Sequence, residues 1–317
     1  MSTPADKTEE PVLGIPIPVP LPTPLRIHQR KKIDDLDSVF SDMIIDDSKR
    51  NVHFGDKDNY FLHTPYNQEI IKNLQAKEMK YVFSPSFLSA RGGINPQWRR
   101  ILVDWLIEIC EYFDKLDYST LYLTVKLIDR FMALQFLALH PIANSKLWLL
   151  GLTCLLIAAK MHGTCTPSIA QRIFQALNNF SFSKSDFLGM EVIILNELKF
   201  KIHMPTPMDF MDPFLFCVPN HELMEKEGEN VKTMCMQVLD ESLMDIECVQ
   251  WSASTITAAA VMVAVDVIGE RCTKFGDRKE DFTVSDELLL YYTNHTKENL
   301  MPCVQRLTRL MCSGNQQ

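Results

Sequence analysis

The sequence predicts an all-α protein: two tandem five-helix domains preceded by a disordered N-terminal tail and one N-terminal helix. Three observations predict it. Apolar residues recur at helical spacing from about residue 66 onward, no period-2 run is long enough for a convincing strand, and glycine is scarce, 11 among 317 residues. With 46% hydrophobic residues, a chain of this length can fill two cores of ordinary size.

Residues 1–55 differ in composition from the rest. Pro11, Pro16, Pro18, Pro20, Pro22 and Pro24 alternate with aliphatic residues, and an acidic stretch runs from Asp34 to Asp47. Such a segment neither holds a helix nor offers much to bury, so an extended tail is expected. Arg26, Arg30, Lys31 and Lys32 form a small basic cluster within it, readable as a nuclear-import signal or as a solvated charge run. Residues 56–93 form a lead-in with one helix, 94–205 a first five-helix domain and 206–312 a second.

The clearest helix starts at Asn95 and Pro96, a capping residue followed by proline at the first helical position. Trp98, Ile101, Leu102, Trp105 and Ile109 recur at helical spacing, and Val103, Leu106, Ile107 and Cys110 make the other face apolar too, which marks a central helix. Further helices are expected at Tyr118–Ala138, Lys146–Met161, Pro167–Leu177 and Lys184–Leu198, with starts at Ser145, at Thr166 with Pro167, and at Ser183 with Asp186 as a capping box. His203–Pro207 reads as a linker. Five more segments follow: Met208–Cys217, Gly228–Met244, Trp251–Val267, Val284–Tyr292 and Thr296–Cys312. The third is the most hydrophobic, which suggests a weak internal repeat of a five-helix unit.

Several function classes find no support. A net charge of -8 opposes a phosphate backbone, so nucleic acid is not an expected partner. The nine cysteines include no CxxC pair and read as buried thiols in a reducing compartment. The longest uncharged helical run, taken as Leu147–Ala159, is too short to span a bilayer, and the N-terminus lacks a signal-peptide pattern, so no membrane partner and an intracellular, soluble protein are expected. Gly92 and Gly93 lack the context of a phosphate loop, and no HExxH or GxSxG pattern occurs, so no cofactor and no catalytic or metal site is expected. The composition points to an interaction protein.

The run Trp-Arg-Arg-Ile-Leu-Val-Asp-Trp at 98–105 resembles the opening helix of the cyclin box in A- and B-type cyclins, Met-Arg-Ala-Ile-Leu-Val-Asp-Trp. The resemblance continues through Leu127-Ile128-Asp129-Arg130-Phe131, Leu155-Leu156-Ile157-Ala158-Ala159-Lys160, Met190-Glu191 and Leu198-Lys199-Phe200, and it covers roughly residues 60–310. Five positions define the box in that family, and Arg99, Leu102, Asp129, Lys160 and Glu191 match all five. The resemblance implies a divergent cyclin: a non-catalytic subunit that binds and activates a cyclin-dependent Ser/Thr kinase in cell-cycle control, in nucleus and cytoplasm. The alternative is a cyclin-fold adaptor that binds partners without activating a kinase.

The resemblance also implies site residues. Arg99 and Asp129 pair inside the fold. Lys160 and Glu191 meet the kinase, surrounded by Ile157, Met161, Leu195, Phe200 and Ile202, with Tyr66 and Ile70 contributing from the N-terminal helix. A groove made by Trp98, Ile101, Leu102, Trp105, Glu108, Leu147 and Trp148 would take substrates or inhibitors with a short Arg-x-Leu type motif, apolar slot for leucine and carboxylate for arginine. The chain departs from the family where Met161-His162-Gly163 replace an aromatic and two acidic residues, where Trp98 replaces methionine and Trp148 glutamine, and in a longer connection around Leu137–Asn144. Lys297-Glu298-Asn299 spells a KEN degradation signal at the start of a predicted helix, where a structural role is expected, and the tail has no Arg-x-x-Leu destruction box.

Overall fold

The computed structural model describes residues 65–86, 95–112, 116–137, 143–178, 182–218, 231–274 and 283–314. The Pro-rich tail, its basic cluster, Gly92 and Gly93, and most of the Leu137–Asn144 connection lie outside them. Among the described residues the fold is all-α, with no strand.

Helix α1 spans Pro65–Glu78. The first five-helix unit is α2 (Pro96–Tyr112), α3 (Tyr118–Leu137), α4 (Leu147–Met161), α5 (Pro167–Asn178) and α6 (Lys184–Glu197). The second is α7 (Pro207–Leu215), α8 (Val231–Met244), α9 (Ala253–Lys274), α10 (Asp286–Thr293) and α11 (Lys297–Gly314). Local chemistry sets the boundaries. Asn95 caps α2 by accepting the Gln97 N–H at 2.9 Å, with Pro96 first in the helix. Ser183 and Asp186 form the expected capping box of α6. A second box, which the linker reading had passed over, starts α7: the Thr206 N–H donates to the Asp209 carboxylate at 2.6 Å. One start is corrected: Ser145 lies inside a 3-10 turn, Asn144–Lys146, and α4 begins at Leu147 without a side-chain cap.

The third helix is central in both units. α4 packs against α2, α3, α5 and α6, and all its residues except Trp148, Lys160 and Met161 are buried. α9 packs against α7, α8, α10 and α11, and presents Ala258, Ala259, Ala260, Val261 and Ala264, all fully buried. Small residues on the central helix let larger ones from its neighbours, Phe210, Phe214, Leu239 and Leu307, close over it.

α9 has an uncharged stretch, Ala253–Val265, as long as Leu147–Ala159. Its Ala253–Glu270 window is long and apolar enough to cross a membrane, yet 67% of that window is buried within the fold. The helix runs to Lys274, past the expected end at Val267, because Gly269 does not break it.

The two units meet along α2, α3, α7 and α8. Tyr122 of α3 is buried in the second core, and its hydroxyl donates to Asp240 of α8 at 2.9 Å. α1 packs on the second unit through Ile71 and Leu74, whereas Tyr81, three residues past its end, packs against the first core.

Candidate functional site

Among the described residues, Arg99 is the largest fully buried side chain. Its Nε and Nη2 donate to the two carboxylate oxygens of Asp129 at 2.7 and 2.8 Å, a bidentate pair between α2 and α3. Its Nη1 donates to the Leu243 carbonyl at 2.8 Å, at the C-terminal turn of α8. Burial opposes the guanidinium charge, but Asp129 outweighs it and holds the Arg99 pKa above its ordinary value. The residue thus locks three helices and both units, a structural role.

Lys160 stands in the last turn of α4, and its Nζ donates to Glu191 Oε1 of α6 at 2.6 Å. The lysine side chain is 49% exposed and the glutamate 15%. Such a pair contributes at most about 1 kcal/mol to stability, so its charges remain available to a partner. Around it stand Met161 (40% exposed) and Phe200 (67%), with Leu195 and Ile202 half-buried. Lys199 and Phe200 both lie in the left-handed region, at φ 51° and 56°, an arrangement that costs roughly 1–2 kcal/mol per side-chain-bearing residue. Phe200 is exposed on this strained turn. Ile157 is buried at 3% and packs in the core, so its expected place on the surface is corrected: it supports the surface from beneath. Ile70 of α1 is 54% exposed. The Tyr66 side chain lies outside the described residues.

On α2, Ile101 is 41% exposed, and Trp98, Trp105 and Glu108 are half-buried. Trp105 meets Trp148 of α4 edge to face, ring centroids 5.0 Å apart. Burial, then Asp104 and Glu111, raise the Glu108 pKa. Leu102 and Leu147 have no exposed surface, which corrects their expected place in a groove. Gly151 is the reason for Leu102: a Cβ there would lie 2.7 Å from Leu102 Cδ1, so the missing side chain lets the leucine sink against α4.

Two family models match, "Cyclin, N-terminal domain" over residues 69–203 and "Cyclin, C-terminal domain" over 205–317. The chain belongs to the cyclin family. Similar proteins include Cyclin-B2-1 of Oryza sativa subsp. japonica, 30% identical over 81% of this chain and 55% of the relative, and G2/mitotic-specific cyclin-B2 of Gallus gallus, 28% identical over 89% and 66%. The chain thus spans a little over half to two-thirds of these relatives, and identities near 30% make it a divergent cyclin. A viral cyclin from herpesvirus saimiri shares the fold, with a TM-score of 0.56 at 18% identity over 76% of this chain and 97% of that one.

In this cyclin the Met161-His162-Gly163 departure is a helix stop. Gly163 takes φ +70°, the left-handed conformation that closes α4, and the His162 and Gly163 N–H groups donate back to Ala158 and Lys160. His162 Nδ1 lies 3.3 Å from Thr120 Oγ1, joining the end of α4 to the start of α3. The KEN triplet lies in the first turn of α11, where Lys297 pairs with Asp286 at 2.6 Å.

Sequence reasoning passed over two features. Leu188, Val192 and Ile193 on α6 are exposed at 47%, 57% and 52%, on the helix that carries Glu191. The apolar pair Val192-Ile193 was visible in the sequence, but which faces of this helix are buried was not. The second is Glu78 at the end of α1, only 1% exposed: both its oxygens accept from Ser254, the N–H at 2.9 Å and the hydroxyl at 2.5 Å, capping α9 from 176 residues away. His295 Nε2 lies 3.0 Å from the same hydroxyl.

Proposed function

We propose that this cyclin is the regulatory, non-catalytic subunit of a cyclin-dependent Ser/Thr kinase in cell-cycle control, acting in nucleus and cytoplasm. The observation that carries the reading is the Lys160–Glu191 pair between the last turn of α4 and the middle of α6, with exposed Met161, Leu188 and Val192 on the same two helices and Phe200 in the turn beyond. A soluble surface seldom keeps so many large apolar groups together without a partner to cover them. Lys160 uses one of its three N–H donors on Glu191, leaving others for backbone carbonyls of a docked helix, which fixes register while the apolar groups supply affinity. Pressed against the kinase's regulatory helix, such a surface aligns the kinase lysine and glutamate that hold ATP.

The groove reading is narrowed to Trp98, Ile101, Trp105, Glu108 and Trp148, a candidate docking slot for apolar-basic peptides of substrates or inhibitors. The adaptor reading draws on the Met161–Gly163 corner, which lacks the family's aromatic and acidic side chains. Reconstitution with a purified cyclin-dependent kinase subunit and histone substrate separates the two: activation supports the first reading, and binding without activation supports the adaptor.

A further inference from the structure

Two residues outside the five positions that define the cyclin box join the N-terminal segment to the exposed turn. Arg130 follows Asp129 in α3, and its Nη1 donates to the Lys201 carbonyl at 2.8 Å. Its guanidinium carbon lies 4.5 Å from the centroid of the Tyr81 ring. Tyr81 ends the 3-10 turn Met79–Tyr81 that follows α1, and is half-buried against the first core. Lys201 comes directly after Lys199 and Phe200, the two left-handed residues.

The turn's own backbone bonds run from the Lys199, Phe200 and Lys201 N–H groups to Asn196, Leu195 and Leu198. They tie it to the end of α6 but do not oppose relaxation of two side-chain-bearing residues out of the left-handed region. Arg130 adds an anchor at the carbonyl that follows. Its planar fork, stacked on an aromatic face, is already oriented for that bond and loses little freedom in making it.

We propose that the Tyr81–Arg130 pair is a positioning device that holds Lys199 and Phe200 left-handed in the turn after α6 and so presents Phe200 to the kinase; the inference rests on the kinase-binding reading above. Neither residue needs to touch the partner. The contact with Lys201 is exposed, so releasing it leaves hydrated groups and little change in overall stability. The same pair couples α1, which carries Ile70, to Phe200, two parts of the proposed kinase surface.

The test measures backbone amide hydrogen exchange of residues 199–201 in the full chain, and Kd for a purified cyclin-dependent kinase catalytic subunit. Arg130→Met and Tyr81→Leu should each speed exchange of these amides and weaken the kinase complex by about tenfold, with the thermal midpoint nearly unchanged, whereas Tyr81→Phe keeps the ring and both properties. Phe200→Ala should weaken binding alone, and Arg130→Met added to it should cost less than about twofold more. Equal exchange in parent and Arg130→Met, or full additivity with Phe200→Ala, overturns the inference. If Lys160→Ala/Glu191→Ala abolishes binding while Arg130→Met binds as the parent does, the kinase reading stands and this inference falls. If the parent binds no kinase, that reading falls and presentation of Phe200 to a kinase falls with it, while exchange still reports whether the pair holds the turn.

Discussion

The two five-helix units share a plan and differ in how their central helices are held. In the first, the central helix is leucine-rich and ends at the surface in Lys160 and Met161, beside the exposed apolar groups of α6. In the second, the central helix is alanine- and valine-rich and begins on a buried cap: Ser254 donates to Glu78 of α1, His295 lies against the same hydroxyl, and the Leu243 carbonyl accepts from Arg99. The difference teaches where each central helix is held, the first at its surface end by an ion pair and the second at its buried start by a cap from α1; both units expose large apolar groups, Leu290, Tyr291 and Met301 among them in the second.

The most severe way to break this arrangement is at the seam. Arg99→Ala leaves the Asp129 carboxylate buried and unpaired and the Leu243 carbonyl without its donor. Chemical denaturation should show a loss of about 3–5 kcal/mol.

Alkaline pH should come next, acting through thiols spread unequally between the cores. Burial pushes Cys110 up to about 12 in the first unit and Cys217 and Cys303 up to about 12 in the second, and raises Cys154, Cys235 and Cys248 further. A thiol raised in the folded state stays protonated there while the unfolded chain ionises near 8.5, so its contribution is complete below that pH and declines above it. Lys126, lowered to about 8 chiefly by burial, works the other way, since the unfolded chain holds its proton up to about 10.4. Six thiols outweigh one lysine. Stability followed by thermal melts should fall by at least about 1 kcal/mol per pH unit above pH 9.

Glu78→Ala removes the cap on α9 and one of the polar ties of α1, beside that of Gln75 to Thr293, and should cost about 1–3 kcal/mol in a denaturant titration. It should also expose the amides of α1 to exchange while those of α4 stay protected.

The smallest change in stability should come from the groove and its rim. Glu108 carries a raised pKa, so its charge is lost on acidification before that of an ordinary glutamate. Binding of an arginine-containing apolar peptide, followed by fluorescence of Trp105 and Trp148, should weaken as pH falls through this raised value, and Glu108→Gln should remove the pH dependence with under about 0.5 kcal/mol effect on folding.

Much of this was legible in the sequence, for physical reasons. Asn95-Pro96 and Ser183 with Asp186 are local signals, because a cap and its N–H lie within one turn. The repeat was legible because a central helix must be apolar on most faces. Depth was not: Leu102, Leu147 and Ile157 look the same in a periodic pattern whether they end in a core or at its edge, and the space left by Gly151 exists only once α2 meets α4. Partners far apart in the chain were also invisible, as with Glu78 and Ser254 or Tyr81 and Arg130. The pairing of Arg99 with Asp129 came from family resemblance, and geometry added what resemblance lacked, the third bond to Leu243.

The central claim is that the first unit's exposed patch holds the kinase while the second unit carries none of that contact. It is tested most directly by calorimetric titration of a purified cyclin-dependent kinase subunit into the parent and Lys160→Ala/Glu191→Ala proteins, with thermal unfolding of both recorded in the same buffer. The account predicts that binding disappears in the double variant while stability changes by no more than about 1 kcal/mol. Undiminished binding by a folded double variant would contradict it.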